Sequence, residues 1–511
     1  FDLVLGNPPW IKIEWNESAV IGDYEPMYVV RKHNANKVAQ LRDETFERIA
    51  GLLEEYLAAF TASEGTQNSL NARQNYPLLK GMQNNLYKCF LTQAWMAGNE
   101  NGVSAFLHPE GVYDDPKGGE FRSGLYPRLR KHFQFVNELN LFEDVDHHTK
   151  FSVNVYSVAE PDGTRFDHIA NLFLPRTVDE CYAHSGQGAV PGIKNEEGKW
   201  ETTGHQNRIL NISNQELSLF AFLYDIEGTK PQEARLPALH VRELITVLEK
   251  FAGQPRKLGD LKDEYFSLEM WHETNAQKDG TIRRETRFTQ STDELILSGP
   301  HFFVGNPAYK TPRAVCEKNS DYDVLDLTEL PEDYLPRTNY VPDCSLEEYR
   351  RRTPIVPWGE KKRVTEFYRS VHRKMIGSSA ERTLIGAVMI RYSAHYDGAF
   401  STTFKDTSTL LLYSGLTFSI PYDFFVKSTG KSNFRNEISD MLPISELYAD
   451  PIISRVLKLV CITNAYAELW KYAWEPRFTR ESWMKQDPRL DANSYRKMVN
   501  NWSRDSGLRT D

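Results

Sequence analysis

The first 160 residues alternate between short strand-like runs and longer helical stripes. Phe1 to Leu5 are an apolar run broken only by Asp2 and closed by Gly6, the pattern of a buried strand. Asn7, Pro8, Pro9 and Trp10 follow. Each proline lacks an N–H and fixes its φ, and the residue before a proline is driven out of the helical region, so these four residues predict a rigid turn at the C-terminal end of the strand. From Asn34 to Ala62 the apolar positions Leu41, Phe46, Ile49, Leu52, Leu53, Tyr56 and Leu57 recur at three-and-four spacing, which predicts a helical insertion after the turn. A second helix, "NNLYKCFLTQAWM", leads through "AGNENG" to a short strand, "VSAFLHPEG". After "DDPKGGE" come a helix near Phe121 to His132 and two strand-like runs, "FQFVNELNLF" and "FSVNVYSV", joined by "EDVDHHTK". The expected order is strand, turn, helices, strand, helix, hairpin. From Pro161 to Leu236 turn signals dominate, and the segment reads as a connector with some helix around Gln215 to Tyr224. Pro237 to Phe251 is an amphipathic helical pattern, and the remainder is mixed.

At 511 residues the chain is too long for one ordinary core, so two or three domains are expected. The five cysteines show no C-x-x-C pair and no metal-ligand spacing, which fits a reducing compartment and not a disulfide framework. There is no signal-peptide pattern and no apolar run long enough to cross a bilayer, so a cytoplasmic location without a membrane role is expected. A formal charge of −9 argues against indiscriminate coating of nucleic acid and leaves room for a local basic groove.

The chemistry of the turn follows from its atoms. A base amino group is a poor nucleophile because its lone pair is delocalised into the ring, so it needs acceptors that draw its hydrogens out of plane. The Asn7 side-chain oxygen and the Pro8 carbonyl are two such acceptors, Pro9 keeps the second aimed, and Trp10 offers a face on which a base can stack, worth roughly 1 to 3 kcal/mol. This "NPPW" stretch, behind its hydrophobic strand, resembles motif IV of the amino-methyltransferases. "NLYKCFLTQAW" resembles motif V of the N6-adenine group, "GVSAFLHPEGV" motif VI and "FSVNVYSV" motif VIII. The resemblance implies an S-adenosylmethionine-dependent N6-adenine DNA methyltransferase of the large restriction-modification or phage-defence kind, such as type IIG, BREX or DISARM methylases. It also implies that the adenine is flipped out of the stack, and that Phe151 or Tyr156 gives it a second contact; the two stand equal here.

The fold so implied is α/β: the C-terminal half of a class I, Rossmann-like methyltransferase sheet with a helical insertion, then a mixed α+β target-recognition region. Residues 1–160 are expected to hold the catalytic half, 161–236 the connector and 237–511 the DNA-binding region. In the family, a Gly-rich loop and an acidic residue upstream of motif IV hold the cofactor. "GQGAVPG" at Gly186 to Gly192 reads instead as a plain loop, without a strand before it or a helix after it. The chain is therefore expected to be one piece of a larger methyltransferase, with the N-terminal half as a partner, no activity expected of the piece alone, and duplex DNA and other defence-system proteins as further partners.

Two stretches of the second half suggest phosphate contacts. Between Tyr349 and Lys374, Arg350, Arg351, Arg352, Lys361, Lys362, Arg363, Arg369, Arg373 and Lys374 outnumber Glu360 and Glu366, with Trp358, Phe367 and Tyr368 interleaved; such a reversal of sign is the footprint of a phosphate groove. In "PYDFFVKSTGKSNFRN", Lys427 and Lys431 flank small hydroxyls and a glycine that can position a phosphate. "SLEMWHETNA", "LILSGPHFF" and "FFVKSTGKSN" resemble the target-recognition region of large adenine methyltransferases in their order. Other patterns read as decoys. "FFVGNPAY" has Ala308 in place of the second proline and reads as a turn. Asp144, Asp146, His147 and His148 read as solvated loop residues whose imidazoles point apart, so no metal is expected. "WGEKK" lacks an upstream acidic partner for a nuclease. The alternatives are a DNA-binding specificity module without its own activity, or a methyltransferase acting on RNA or protein glutamine.

Overall fold

A computed structural model describes residues 1–33, 35–83, 85–160, 163–377 and 380–509. Asn34 and Asn84, at the starts of the two expected helices, and Pro161 and Asp162, at the start of the expected connector, lie outside the described residues. Two compact units result, Phe1–Ala252 and Gly253–Asp511. In the first, the elements are β1 (Leu3–Gly6), α1 (Glu17–Gly22), α2 (Met27–Val30), α3 (Ala35–Arg48), α4 (Leu52–Asn71), α5 (Leu86–Ala97), β2 (Val103–Pro109), α6 (Gly111–Asp114), α7 (Gly119–Leu125), β3 (Leu129–Val136), β4 (Lys150–Tyr156), β5 (Arg165–Leu172), α8 (Arg176–Ala183), β6 (Leu210–Ser213), α9 (Asn214–Tyr224) and α10 (Glu243–Ala252).

Six strands form one mixed sheet in the order β1-β2-β4-β3-β5-β6. β1 and β2 are parallel, β4 runs antiparallel to both β2 and β3, β3 and β5 are parallel, and β6 closes the far edge antiparallel. The segment expected as a connector thus supplies β5 and β6 together with α8 and α9. Ser213 caps α9 through a reciprocal box with Glu216, a local signal that starts the helix one residue before the expected position.

Three expectations need correction. β1 is an edge strand, and Leu3 and Leu5 are 57% and 66% exposed instead of buried, because only β2 pairs with it. The long stripe expected to end at Ala62 is two helices, α3 and α4, separated at Gly51, whose φ of +82° ends one and opens the other. The helix expected to reach His132 ends at Leu125, ahead of Pro127, and His132 lies inside β3. Around the insertion, Ile21, Tyr28, Val38 and Leu52 form their own small core.

One face of the sheet buries a polar network. His132 shares hydrogen bonds with His168 at 2.7 Å and with Glu110 at 3.1 Å, and Gln134 donates to Glu110 at 2.9 Å. Beside it, Asn154 and Tyr156 reach His108 Nε2 at 2.9 and 2.8 Å, while Nδ1 sits 2.9 Å from the Pro109 carbonyl. That pattern suits a neutral imidazole protonated on Nδ1.

The second unit contains β7 (Tyr265–Leu268), α11 (Glu273–Lys278), β8 (Ile282–Phe288), β9 (Ile296–Leu297), β10 (Lys310–Pro312), β11 (Tyr322–Val324), β12 (Arg337–Pro342), α12 (Leu346–Arg352), β13 (Arg369–Arg373), β14 (Gly386–Met389), β15 (Ala394–His395), β16 (Ala399–Phe404), α13 (Thr407–Phe418), α14 (Ile420–Ser428), α15 (Asn436–Ser439), α16 (Ala449–Val460) and α17 (Ala467–Ala473). Its largest sheet is antiparallel, β14-β13-β16-β7. Helices α13 and α16 pack closely at Gly415, where a Cβ would meet Ile452 Cγ2 at 2.3 Å and Val456 Cγ2 at 2.7 Å. "FFVGNPAY" is a tight turn, with a bridge between Phe303 and Asn306 and Gly305 at φ +68°. No described helix is long and apolar enough to cross a membrane.

Burial sets a pH dependence. It lowers the pKa of His108 and His240 to about 4 and of His168, His372 and His395 to about 3, so these imidazoles are neutral in the fold. Below about pH 6.5 the unfolded chain takes up protons that the fold excludes, and stability falls as pH drops toward 4, by roughly 1 kcal/mol per pH unit for each ring. Burial opposes the charge on Glu110, but His132 and the hydrogen bonds from Ser152 and Gln134 hold its carboxyl down to about 2, so its contribution is lost only below about pH 4.5. Thermal melting between pH 8 and pH 5 should show a midpoint that is level above pH 7 and declines below about pH 6.5; a midpoint independent of pH would mean that these rings are protonated in place.

Candidate functional site

The register of β1 on β2 pairs Gly6 with Phe106, and at Gly6 a Cβ would lie 3.4 Å from the Phe106 ring. The turn therefore leaves the sheet at the C-terminal ends of two parallel strands. Asn7 and Pro9 are exposed, Pro8 is buried and Trp10 is half-buried. Two hydrogen bonds hold the turn in place. Trp10 Nε1 donates to the Leu107 carbonyl at 3.4 Å, and Leu86 N, at the start of α5, donates to the Ile11 carbonyl at 3.0 Å. The Asn85 side chain caps α5 by accepting from Tyr87 N at 3.4 Å. Among the described residues, no hydrogen bond engages the Asn7 side chain or the Pro8 carbonyl, so both oxygens keep their lone pairs free.

The Trp10 ring rests in an aromatic cluster. It lies 5.7 Å from Phe142 and 5.8 Å from Phe151, and Phe151 stacks on Phe135 at 5.5 Å. Phe151 sits opposite Pro109, at the same end of the sheet as the turn. Tyr156 sits opposite Ser104, at the other end of β4, and its hydroxyl reaches back to His108 on the opposite face of the sheet from Phe151. The two are five positions apart on the strand, an odd offset, so they face opposite sides of the sheet. The structure thus brings Phe151 to Trp10 and does not bring Tyr156.

Phe142 and Asn137 escaped the sequence reading. Asn137 is fully buried at the end of β3; its amide donates to the Phe142 and Val145 carbonyls, each at 2.8 Å, and accepts from Phe142 N at 3.0 Å. An asparagine where the strand-like run gives way to a loop was the available signal. In the same loop, the rings of His147 and His148 do not point apart as expected: their centroids are 3.8 Å apart. His148 Nδ1 meets Glu138 at 3.0 Å, while Asp146 Oδ1 accepts from His148 N at 2.8 Å and Asp144 lies outside the group of Glu138, His147 and His148.

Beside the turn is an open cavity of about 450 Å³, lined by Lys12, Gln83, Asn85, Tyr87, Lys88 and Asp114 among others. Burial lowers the pKa of Lys88, whose ammonium donates to the Gln83 carbonyl at 3.0 Å, and raises that of Asp114. Gly186 to Gly192 lie in a loop after α8.

The cationic stretches of the second unit are mostly engaged. Arg350 forms a two-pronged pair with Asp293 at 2.8 Å, and Arg351 and Arg352 bind Glu348 at 2.6 and 2.8 Å. Arg363 donates to the Thr353 carbonyl. Arg369 is fully buried and cannot line a surface groove; its guanidinium donates to the Ser393 carbonyl, and burial pulls its pKa down to about 9. Arg373 donates to the Gly299 and Phe302 carbonyls, both at 2.8 Å, and Lys374 pairs with Glu269 at 2.5 Å. Lys427 donates to the Ala380 carbonyl at 3.0 Å and Lys431 lies 3.6 Å from Glu437. The hydroxyls of Ser428 and Thr429 bond to carbonyls of α14 at 2.7 Å instead of pointing outward. Lys361 and Lys362 are exposed at a tight turn, with Gly359 at φ +76° and Lys361 at φ +59°.

No family model matches the chain, and no curated protein matches its sequence. Among solved structures, the type IIL restriction-modification enzyme MmeI in complex with DNA is similar over 93% of this chain and 50% of its own, at 10% identity and a TM-score of 0.33. The type IIG restriction endonuclease BpuSI is similar over 79% and 48%, at 11% and 0.26. The ATP-dependent type ISP restriction-modification enzyme LlaBIII bound to DNA is similar over 84% and 28%, at 11% and 0.29. The chain thus spans about half the length of the first two and less of the third.

Asn137 tests how the aromatic cluster is held. Asn137→Ala removes three hydrogen bonds and leaves buried carbonyls unpaired, so it should destabilise the chain by roughly 1 to 3 kcal/mol, read as a lower denaturant midpoint at unchanged slope. An unchanged midpoint would show that the loop is held by other contacts.

Proposed function

We propose that the chain is the catalytic and target-recognition part of an S-adenosylmethionine-dependent N6-adenine DNA methyltransferase serving restriction-modification or phage defence. The observation that carries this reading is the sheet order. Parallel β1 and β2 are followed by reversed β4 and then β3, and Asn7-Pro8-Pro9-Trp10 leaves the end of β1 beside the start of α5. This arrangement fits the second half of a class I methyltransferase sheet, with its antiparallel pair at one side and motif IV at its C-terminal edge.

Asn7 Oδ1 and the Pro8 carbonyl accept the two amino hydrogens of an adenine drawn out of the duplex, which costs a few kcal/mol. Pulling those hydrogens out of plane returns the lone pair to N6. Trp10 stacks on the base, and Phe151 backs the Trp10 ring from below, which leaves Tyr156 to the buried network. When bound, S-adenosylmethionine supplies an electrophilic methyl group. The amide, phenol and carboxylate groups of Asn85, Tyr87 and Asp114 suit a zwitterionic amino-acid tail and a neighbouring cation, so this part of the cavity fits the cofactor. The remainder of the cofactor site is assigned to the expected N-terminal half, which we place along the exposed apolar edge of β1. Duplex contacts fall chiefly to Lys361 and Lys362, exposed members of the basic stretch that form no ion pair among the described residues.

Sequencing of DNA from cells expressing the full-length gene should reveal N6-methyladenine at one recurrent sequence, lost in Asn7→Ala. Trp10→Ala and Phe151→Ala should each lower the methylation rate at least tenfold, about 1.4 kcal/mol in the barrier, whereas Tyr156→Phe should leave the rate near wild type. Full methylation by Asn7→Ala would exclude the proposed role of the turn. In a separate measurement, replacing Lys361 and Lys362 by Gln should lower the slope of log affinity for DNA against log salt by about 1.8; an unchanged slope would move the phosphate contacts elsewhere.

A further inference from the structure

The stretch from Trp483 to Arg509 walls a cavity of about 480 Å³ together with residues of α16 and α17. Five cations line it, Lys458, Arg489, Lys497, Arg504 and Arg509, against the carboxylates of Asp491 and Asp505. In a chain with a formal charge of −9, such a reversal of sign is local.

Two of these cations have carboxylate partners: Arg489 pairs with Asp487 at 2.9 Å and Lys497 with Asp491 at 2.6 Å. The other three form no ion pair among the described residues. Arg504 donates to the Thr328 carbonyl at 2.5 Å. Arg509 donates to the carbonyls of Leu330 at 2.8 Å and Leu327 at 3.3 Å, and to that of Ile462. Carbonyls orient a guanidinium without pairing its charge, although Glu332 and Asp505 act on that of Arg509 from a distance. Lys458 is the sharpest case. It is only 3% exposed, its ammonium makes no hydrogen bond among the described residues, and its nearest recorded aromatic neighbour is the ring of Tyr495, 5.3 Å away. Burial lowers its pKa to about 8, which leaves it mostly protonated at neutral pH. Ser494 Oγ, also on the cavity wall, is buried without a hydrogen-bond partner.

Holding a buried charge without a counter-ion is unfavourable, and an anion of the right size relieves it. The volume lies in the range of small-molecule sites. Trp483, half-buried on the wall and edge-on to Tyr495 at 4.9 Å, offers an indole on which a flat ring can rest. We propose that this cavity binds a nucleoside phosphate, with its phosphoryl oxygens on Lys458, Arg504 and Arg509, the Ser494 hydroxyl as an added donor, and the base against Trp483. The inference is independent of the catalytic turn, because every residue it uses belongs to the second unit.

The ligand is either a free nucleotide or the phosphorylated end of a single strand. Isothermal titration of the 511-residue chain with inorganic pyrophosphate, adenosine diphosphate and a 5′-phosphorylated oligothymidylate separates these sources. Saturable one-to-one binding of adenosine diphosphate but not of the oligonucleotide assigns a free nucleotide, and the reverse assigns a strand end; either outcome supports the site. Lys458→Met should weaken that binding at least tenfold and raise the ligand-free melting temperature, because it removes a buried charge with no ion pair among the described residues. Arg504→Gln, on the cavity wall, gives the same loss of binding with little effect on folding, and serves if Lys458→Met does not fold. No saturable binding of any probe, or undiminished binding in both variants, overturns the proposal.

Discussion

Everything at the candidate site depends on the parallel pairing of β1 with β2. That register sets Gly6 beside Phe106 and so decides where the chain turns off the sheet. From there, two hydrogen bonds finish the placement: the indole of Trp10 to the Leu107 carbonyl, and Leu86 N to the Ile11 carbonyl. One ties the turn to the neighbouring strand and the other to the start of α5. Together they hold two prolines whose backbone is already restricted, so the Asn7 and Pro8 oxygens are presented with little freedom left to lose.

The reversed strand β4 is the second constraint. By running antiparallel between β2 and β3 it carries Phe151 to the turn's end of the sheet and Tyr156 to the other. It also divides the interior into two chemistries. On one face lie Trp10, Phe142, Phe151 and Phe135, an apolar aromatic bed. On the other lie His108, Asn154 and Tyr156, whose polar atoms satisfy one another away from water. A site that stacks a flat ring needs the first kind of surface, and a rigid sheet beneath it benefits from the second.

Local signals explain what the sequence made legible. Asn7 to Trp10, the hairpin of β3 and β4 and the helix at Gln215 to Tyr224 were readable because prolines, alternation and a capping serine act within a few residues. The exposure of Leu3 and Leu5 was not, since an apolar run looks the same whether or not a second neighbour covers it. The helix expected up to His132 failed because tertiary pairing of β3 overrode a helical pattern beyond Pro127. In the second unit, counting cations between Tyr349 and Lys374 could not show that Glu348 and Asp293 neutralise three arginines, or that Arg369 is a core residue. Which of Phe151 and Tyr156 lies beside Trp10 depends on the strand's register, which no single segment encodes.

We propose above that the turn after β1 serves transfer of a methyl group to the exocyclic nitrogen of adenine. The most direct measurement is mass spectrometry of nucleosides from duplex DNA incubated with the full-length protein and S-adenosylmethionine carrying a labelled methyl group. Label should appear in N6-methyldeoxyadenosine. Label in a methylated cytosine, or in RNA or protein offered in the same reaction while the DNA stays unlabelled, would contradict it.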